Sequence, residues 1–162
     1  MGNTNKDGTG TQYFDLCNAL GQIIMDSGWS PSLQIDEAAN DSDKSFTVPA
    51  STEWKLQSIW VEFISSAVAG NRLITVELRD GAVDLIFQMR VGIVQAASLT
   101  RYYQLAPQLP NMAAFIDTDF LSTPLPEIVI PASYSVRVYD KTAVDAAADD
   151  MVVQMLVLAR SV

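Results

Sequence analysis

From residue 44 onward the chain alternates apolar and polar positions with a period of two, the spacing of strands with one buried face. Leu73-Ile74-Thr75-Val76-Glu77-Leu78-Arg79 is the cleanest case, predicting a strand with Ile74, Val76 and Leu78 inward and Thr75, Glu77 and Arg79 outward. The turn-like stretches "AVAGN" (67–71) and "RDGA" (79–82) bound it, and Asp80-Gly81 reads as a tight hairpin turn. "DLIFQMRVGIVQ" (84–95) continues as a strand with Leu85, Phe87, Met89, Val91 and Ile93 on one face. "SLTRYYQLA" (98–106) follows, its Tyr102 and Tyr103 pointing to opposite faces. Residues 107–126 hold four prolines and no period, and read as a long loop. Then come "EIVIP", "SYSVRVYD", a small-residue acidic loop (141–150) and a last strand, "MVVQMLVLAR". That strand is oily on both faces, Met151, Val153, Met155 and Val157 against Val152, Leu156 and Leu158, which suits the middle of a sandwich or a place beneath a partner.

The first 44 residues read differently. Residues 1–12 are a Gly/Asn/Thr arm, expected to be flexible. "YFDLCNALGQIIM" (13–25) spaces Tyr13, Leu16, Leu20, Ile23 and Ile24 as a short helix would, although Gly21 and the β-rich remainder leave an extended segment open. "DSGWSPS" breaks the chain and residues 36–43 form an acidic loop. The division is therefore an N-terminal segment, 1–44, and a β-sandwich domain, 45–162.

Altogether the chain predicts about eight short strands and an all-β fold. A two-sheet antiparallel sandwich fits best, specifically a jelly roll, with a flexible N-terminal arm and at most one short helix. The phrase Val48-Pro49-Ala50-Ser51 recurs as Ile130-Pro131-Ala132-Ser133. In each, a strand ends on an apolar residue, Pro removes a backbone donor, and Ala-Ser turns into the next strand, so the repeat reads as a pair of corners. An up-and-down barrel or an immunoglobulin-like sandwich is the alternative, the latter without its Cys–Trp–Cys core.

Composition narrows the chemistry. Hydrophobic residues make up 49% and charged ones 18%, which fits a packed domain with apolar surface to spare. A net charge of −9 disfavours nucleic acid and anionic membranes, and residues 1–40 contain one Lys and no Arg, so the arm cannot neutralise a genome. With no histidine and only Cys17, the Ser-His-Asp triad, the usual general base and Cys-based metal clusters are excluded. No enzyme activity, cofactor or metal is expected. Asp117-Thr118-Asp119 and Asp145, Asp149 and Asp150 could offer oxygens to calcium, but lack EF-hand spacing and read as solvated loops. Trp54 and Trp60, six apart, would share one strand face, for core packing or for stacking on a sugar or base. The stiff loop and its neighbours supply the candidate interface: Leu109, Met112, Phe115, Phe120, Leu121 and Tyr103.

One resemblance joins these pieces. Trp54-x-Leu56-x-Ser58-Ile59-x-Val61, a small-residue loop ending Gly70-Asn71-Arg72, and then Leu73-Ile74-Thr75-Val76-Glu77-Leu78-Arg79-Asp80 resemble virion proteins of tailed bacteriophages. The similarity covers residues 46–95 and, more loosely, 127–160, and is to β-sandwich proteins that decorate or cement the capsid. It implies a structural protein of the capsid exterior, made in the host cytoplasm, and a homo-oligomer, with a trimer expected. Its implied partners are itself and the major capsid protein, with no nucleic acid and no membrane. A tail or neck subunit, a receptor- or carbohydrate-binding module and a histidine-free carboxylate hydrolase are the other readings.

Overall fold

A computed structural model of the chain describes residues 4–6, 12–14, 28–38, 40–112, 114 and 119–162. Among them are twelve strands and no helix: β1 (Thr4–Lys6), β2 (Gln12–Phe14), β3 (Ser30–Asp36), β4 (Asp43–Thr47), β5 (Thr52–Ile64), β6 (Ile74–Arg79), β7 (Leu85–Arg90), β8 (Thr100–Ala106), β9 (Phe120–Pro124), β10 (Val129–Ile130), β11 (Ser135–Asp140) and β12 (Asp150–Ser161). The first two pair with each other as an antiparallel hairpin. The larger of the two remaining sheets has the order β3-β12-β5-β8-β9, with β10 also paired to β5; the smaller has β4-β11-β6-β7.

The pairings nest. β6 pairs with β7, β5 with β8, β4 with β11 and β3 with β12, all antiparallel, like one long hairpin rolled up around the turn at residues 80–84. Successive strands then cross between two layers, and this is the jelly-roll order. The repeated phrase makes two of the crossings. Val48–Ser51 carries the chain from β4 in the small sheet to β5 in the large one, and Ile130–Ser133 carries it back from β10 to β11. Both serines adopt a left-handed backbone (φ 58° and 67°), and Val48 and Ile130 are buried. The copies also bond to each other: Ser133 N–H donates to Val48 C=O at 3.0 Å and Val48 N–H to Tyr134 C=O at 2.9 Å. The corner reading of the repeat therefore holds.

The core lies between the layers. β5 contributes Trp54, Leu56, Ile59, Val61 and Phe63, and β12 contributes Met151, Val153, Met155 and Val157. Ile74, Val76 and Leu78 face them from the small sheet, as the alternation predicts. Thr75 and Glu77 do point outward but are still covered, by the cross-strand neighbours Tyr139 and Arg90 over Thr75 and Arg137 and Gln88 over Glu77. The β5 series skips a beat. Leu56 pairs with Val157 and Ser58 with Leu156, leaving Gln57 without a partner on β12. This bulge shifts the inward set by one residue, so that Trp54 is core and Trp60 faces out. The expectation that the two tryptophans share a face is corrected by that one inserted residue.

Other expectations are corrected too. The large sheet includes β3, inside the segment assigned to 1–44; this seven-residue strand, fully paired to β12, starts within the stretch read as a chain break (26–32) and ends at the first residue of the expected acidic loop. β9 lies inside the supposed loop 107–126 and runs parallel to β8. The Asp80-Gly81 hairpin is a longer loop, closed by Asp80 N–H to Asp84 C=O (3.0 Å), whose left-handed residue is Val83 (φ 72°), not Gly81. β7 stops at Arg90, with a register shift near its start that leaves Leu85 exposed. In the proposed helix, residues 13 and 14 belong to β2, and the rest, with Cys17, lies outside the described residues.

Two predictions follow from packing and backbone. Val76, buried between Val138 and Met89, should not tolerate Asp, because an unpaired carboxylate there costs several kcal/mol, comparable with the whole stability; soluble Val76→Asp protein with a cooperative melt would refute the core assignment. Val83 is exposed and β-branched at positive φ, so Val83→Gly should stabilise by about 1 kcal/mol and raise Tm. A lowered Tm would mean the side chain contributes more than its backbone costs.

Candidate interaction surface

The two sheets present unlike outer faces. On the small sheet, Glu77 of β6 is 3% exposed and gathers its neighbours: Arg79 Nη2 donates to its Oε2 at 2.7 Å, Gln88 Nε2 to Oε1 at 2.6 Å, and Tyr139 Oη–H to Oε1. Arg137 lies over the Tyr139 ring at 4.1 Å and its Nε bonds Asp43 Oδ1 at 2.7 Å. Burial raises the Glu77 pKa, but the hydrogen bonds from Tyr139, Arg79 and Gln88 outweigh it and bring it from 4.5 down to about 2. Burial, then the bond to Glu77, pushes the Tyr139 hydroxyl up to about 12. The centre of this face is polar and internally satisfied; its exposed apolar residues, Leu85 and Ile86, lie at the start of the edge strand β7.

One end of the sandwich is locked in a similar way. Arg72, fully buried, makes a bidentate pair with Asp149 (Nε–Oδ2 2.9 Å, Nη2–Oδ1 3.1 Å) and donates Nη1 to the carbonyls of Val68 and Gly70. Burial opposes ionisation of Asp149, but Arg72 and the Ser66 N–H hold its pKa below the ordinary value. Gly70 (φ 150°) is needed, since a Cβ there would meet Val144 at 2.8 Å. Beside this, Tyr103 Oη–H donates to Gln95 Oε1 at 2.8 Å, and Gln95 Nε2 donates to the carbonyls of Phe63 and Leu99. Asp145 accepts from Ser66 Oγ at 2.8 Å. These carboxylates knit loops together rather than standing open to a cation.

The large sheet is the opposite. Its outer face shows Leu33 (55% exposed), Ile35 (47%) and Leu156 (39%), with Val152, Leu158, Trp60, Tyr102 and Phe120 partly exposed around them. Trp60 and Tyr102 stack at 5.9 Å between centroids. β3 is inverted: Leu33 and Ile35 share the side of Leu156, so Ser32, Gln34 and Asp36 take the side of the core residues Val157, Met155 and Val153. Asp36 is tied down by Lys44 at 3.4 Å. An antiparallel sheet with one wet face ordinarily turns its apolar residues inward.

The residues predicted for the interface separate. Leu121 and Tyr103 are 1% exposed and belong to the core, so they are not surface contacts. Met112 packs on the core and its N–H bonds Ser122 C=O, closing the loop back over its own domain. Leu109 is partly exposed and Phe115 lies outside the described residues, as do Asp117 and Thr118. Phe120 sits on β9 opposite Tyr102 and joins the apolar sheet face. Leu33 and Ile35 were missed, though the alternation Pro31, Leu33, Ile35 is legible; the break read over 26–32 hid it, and Pro31 lies near the start of an edge strand, where Pro is tolerated.

Glu77 has a pH signature. Its folded-state pKa lies below the unfolded one, so its stabilisation is complete above about 4.5 and is lost as pH falls toward 2, on the order of 3 kcal/mol. Glu77→Gln should lower stability at neutral pH and flatten the acid-side decline, measured by urea melts across that window. Parallel declines for both proteins would assign the linkage elsewhere.

No protein-family model matches the chain, and no curated protein matches it in sequence. Solved structures do. Dimeric latent PorU from Porphyromonas gingivalis is similar over 83% of this chain and 13% of its own, at 10% identity and a TM-score of 0.46. A structure of the infectious bursal disease virus Gx strain is similar over 100% of this chain and 42% of its own, at 13% identity and a TM-score of 0.37. An arabinose-bound MgGH51 α-L-arabinofuranosidase is similar over 83% and 23%, at 14% identity and a TM-score of 0.34. This chain spans less than half of each, and none of the three is a tailed-bacteriophage protein.

Proposed function

We propose that the protein is a non-enzymatic structural subunit of a virion, a capsid decoration or cement protein that binds the outside of a shell as a homo-oligomer and stabilises it. The observation that carries this reading is the contrast at the centres of the outer faces. Around Glu77 the small sheet carries a satisfied polar network, with Leu85 and Ile86 exposed only on its edge strand, while the large sheet leaves Leu33, Ile35 and Leu156 in water on adjoining strands. Patches of that kind mark interaction surfaces. The rolled topology and the buried Arg72–Asp149 lock supply a stiff body, which keeps the entropy lost on docking small. Repetition over a shell multiplies modest contacts through effective concentration.

A second reading has its own observation. The stacked Trp60 and Tyr102 offer an aromatic platform of the kind that meets sugar rings, as a receptor- or carbohydrate-binding module would. Co-sedimentation with emptied capsids of the source virus separates the two. The purified protein should pellet with the shells to a saturating level and raise their melting temperature. Failure to pellet, together with binding on a glycan array that Trp60→Ala abolishes, would favour the sugar-binding module instead.

A further inference from the structure

We infer that the apolar face of the large sheet is a twofold interface between two copies of this chain, packed sheet against sheet with their strands reversed. The inference draws on the same apolar face as the shell reading, assigns it to self-association within the homo-oligomer, and concerns the protein alone in solution.

The registers place the outward side chains in rows across the sheet. Lys55 of β5 lies in one row with Leu158 and Pro31 on one side and Val129 of β10 on the other. Ser58, Leu156 and Leu33 make the next row; Trp60, Gln154 and Ile35 the one after, with Gln104 of β8. Glu62 and Val152 make a fourth, extended by Tyr102 and Phe120. Among the charged residues of β5 on this face, Glu53, held by Arg160, and Lys55 in the first row stand at one end, and Glu62 in the fourth row at the other.

Consider a twofold axis lying between two facing copies, perpendicular to the strands and midway along these rows. It exchanges the first row with the fourth and the second with the third while keeping each strand opposite its own equivalent. Lys55 then meets Glu62 of the second copy. Leu158 meets Val152, Leu33 meets Ile35, Val129 meets Tyr102, Leu156 meets the side chain of Gln154, and the small Ser58 meets the large Trp60. Opposite charges, apolar pairs and a small-to-large match all arise from a single operation, and each contact occurs twice, as an isologous interface requires. Two sheets packed in this way keep their strands within about 30° of each other.

Size agrees. Strands about 4.8 Å apart and rows about 6.7 Å apart give a face on the order of 500 Å² per copy, and pairing two copies removes roughly 1,000 Å² or more, the lower bound for a specific interface. Inverted β3 also finds its reason: Leu33 and Ile35, placed outward at the sheet edge, are buried by the second copy. This geometry replaces the trimer expected from the sequence with a pairwise contact.

The test is light scattering on the full chain at micromolar concentrations, with circular dichroism melts to establish folding. Wild type should have twice the mass of the chain, and Leu156→Glu should be a folded monomer. Lys55→Glu and Glu62→Lys should each weaken the dimer about tenfold by setting like charges opposite each other, and the double swap Lys55→Glu/Glu62→Lys should restore it. Rescue by the swap is a readout that general loss of stability would not produce. A wild-type monomer at high micromolar concentration, a trimeric mass, or a swap that fails to rescue would overturn the interface. A dimer that fails to pellet with capsids would leave this interface standing and count against the shell reading alone.

Discussion

The twelve-pair ladder between β5 and β12, with its one unpaired residue at Gln57, is the constraint on which the remaining structure rests. Side chains on a strand alternate faces, so a register fixes which residues see the core and which see water, and a single inserted residue exchanges them. Before the bulge the inward set is Trp54 and Leu56; after it, Ile59, Val61 and Phe63. Without it, Trp60 and Glu62 would point into the core and Ile59 and Val61 into solvent. The long final strand sits against β5 on one side and β3 on the other, so the same register reaches the sheet edge and sets Leu33 and Ile35 outward.

Around that ladder the sandwich is held differently at its parts. Between the layers the cohesion is apolar and non-directional. At the end where the loops after β5, β7 and β11 meet, it is directional: Arg72 and Asp149, far apart in sequence, are both fully buried and satisfy each other and four further loop groups. Removing one partner from such a pair costs far more than the pair itself contributes, because a charge would be left in a dry site. The arrangement therefore specifies loop positions more than it adds net stability. On the small sheet, Glu77 plays the same part for the centre of the outer surface, leaving exposed apolar residues only at the start of β7. The large sheet has no equivalent device, and its outer surface is where an energetic reason for association remains.

The alternation after residue 44, the turn signals and the paired Pro-Ala-Ser corners determined, by themselves, an all-β sandwich, the core placement of Ile74, Val76 and Leu78, and the doubling-back of the chain at Val48 and Ile130. Those are short-range properties: period, proline and local turn chemistry act within a few residues. That Tyr102 and Tyr103 point to opposite faces followed in the same way, but not which of the two faces inward. What only the tertiary structure decided were features set by partners distant in sequence. The Gln57 bulge depends on β12, which arrives about ninety residues later. β9, with its Ser, Thr and Pro, is a strand because β8 offers it an edge, and β3 is one because β12 does. The interface residues Tyr103 and Leu121 looked available in sequence and proved to be core, while Leu33 and Ile35 proved to be surface. Apolar character is written in the chain, but the side of the sheet to which it is turned depends on register, and register is a property of two strands together.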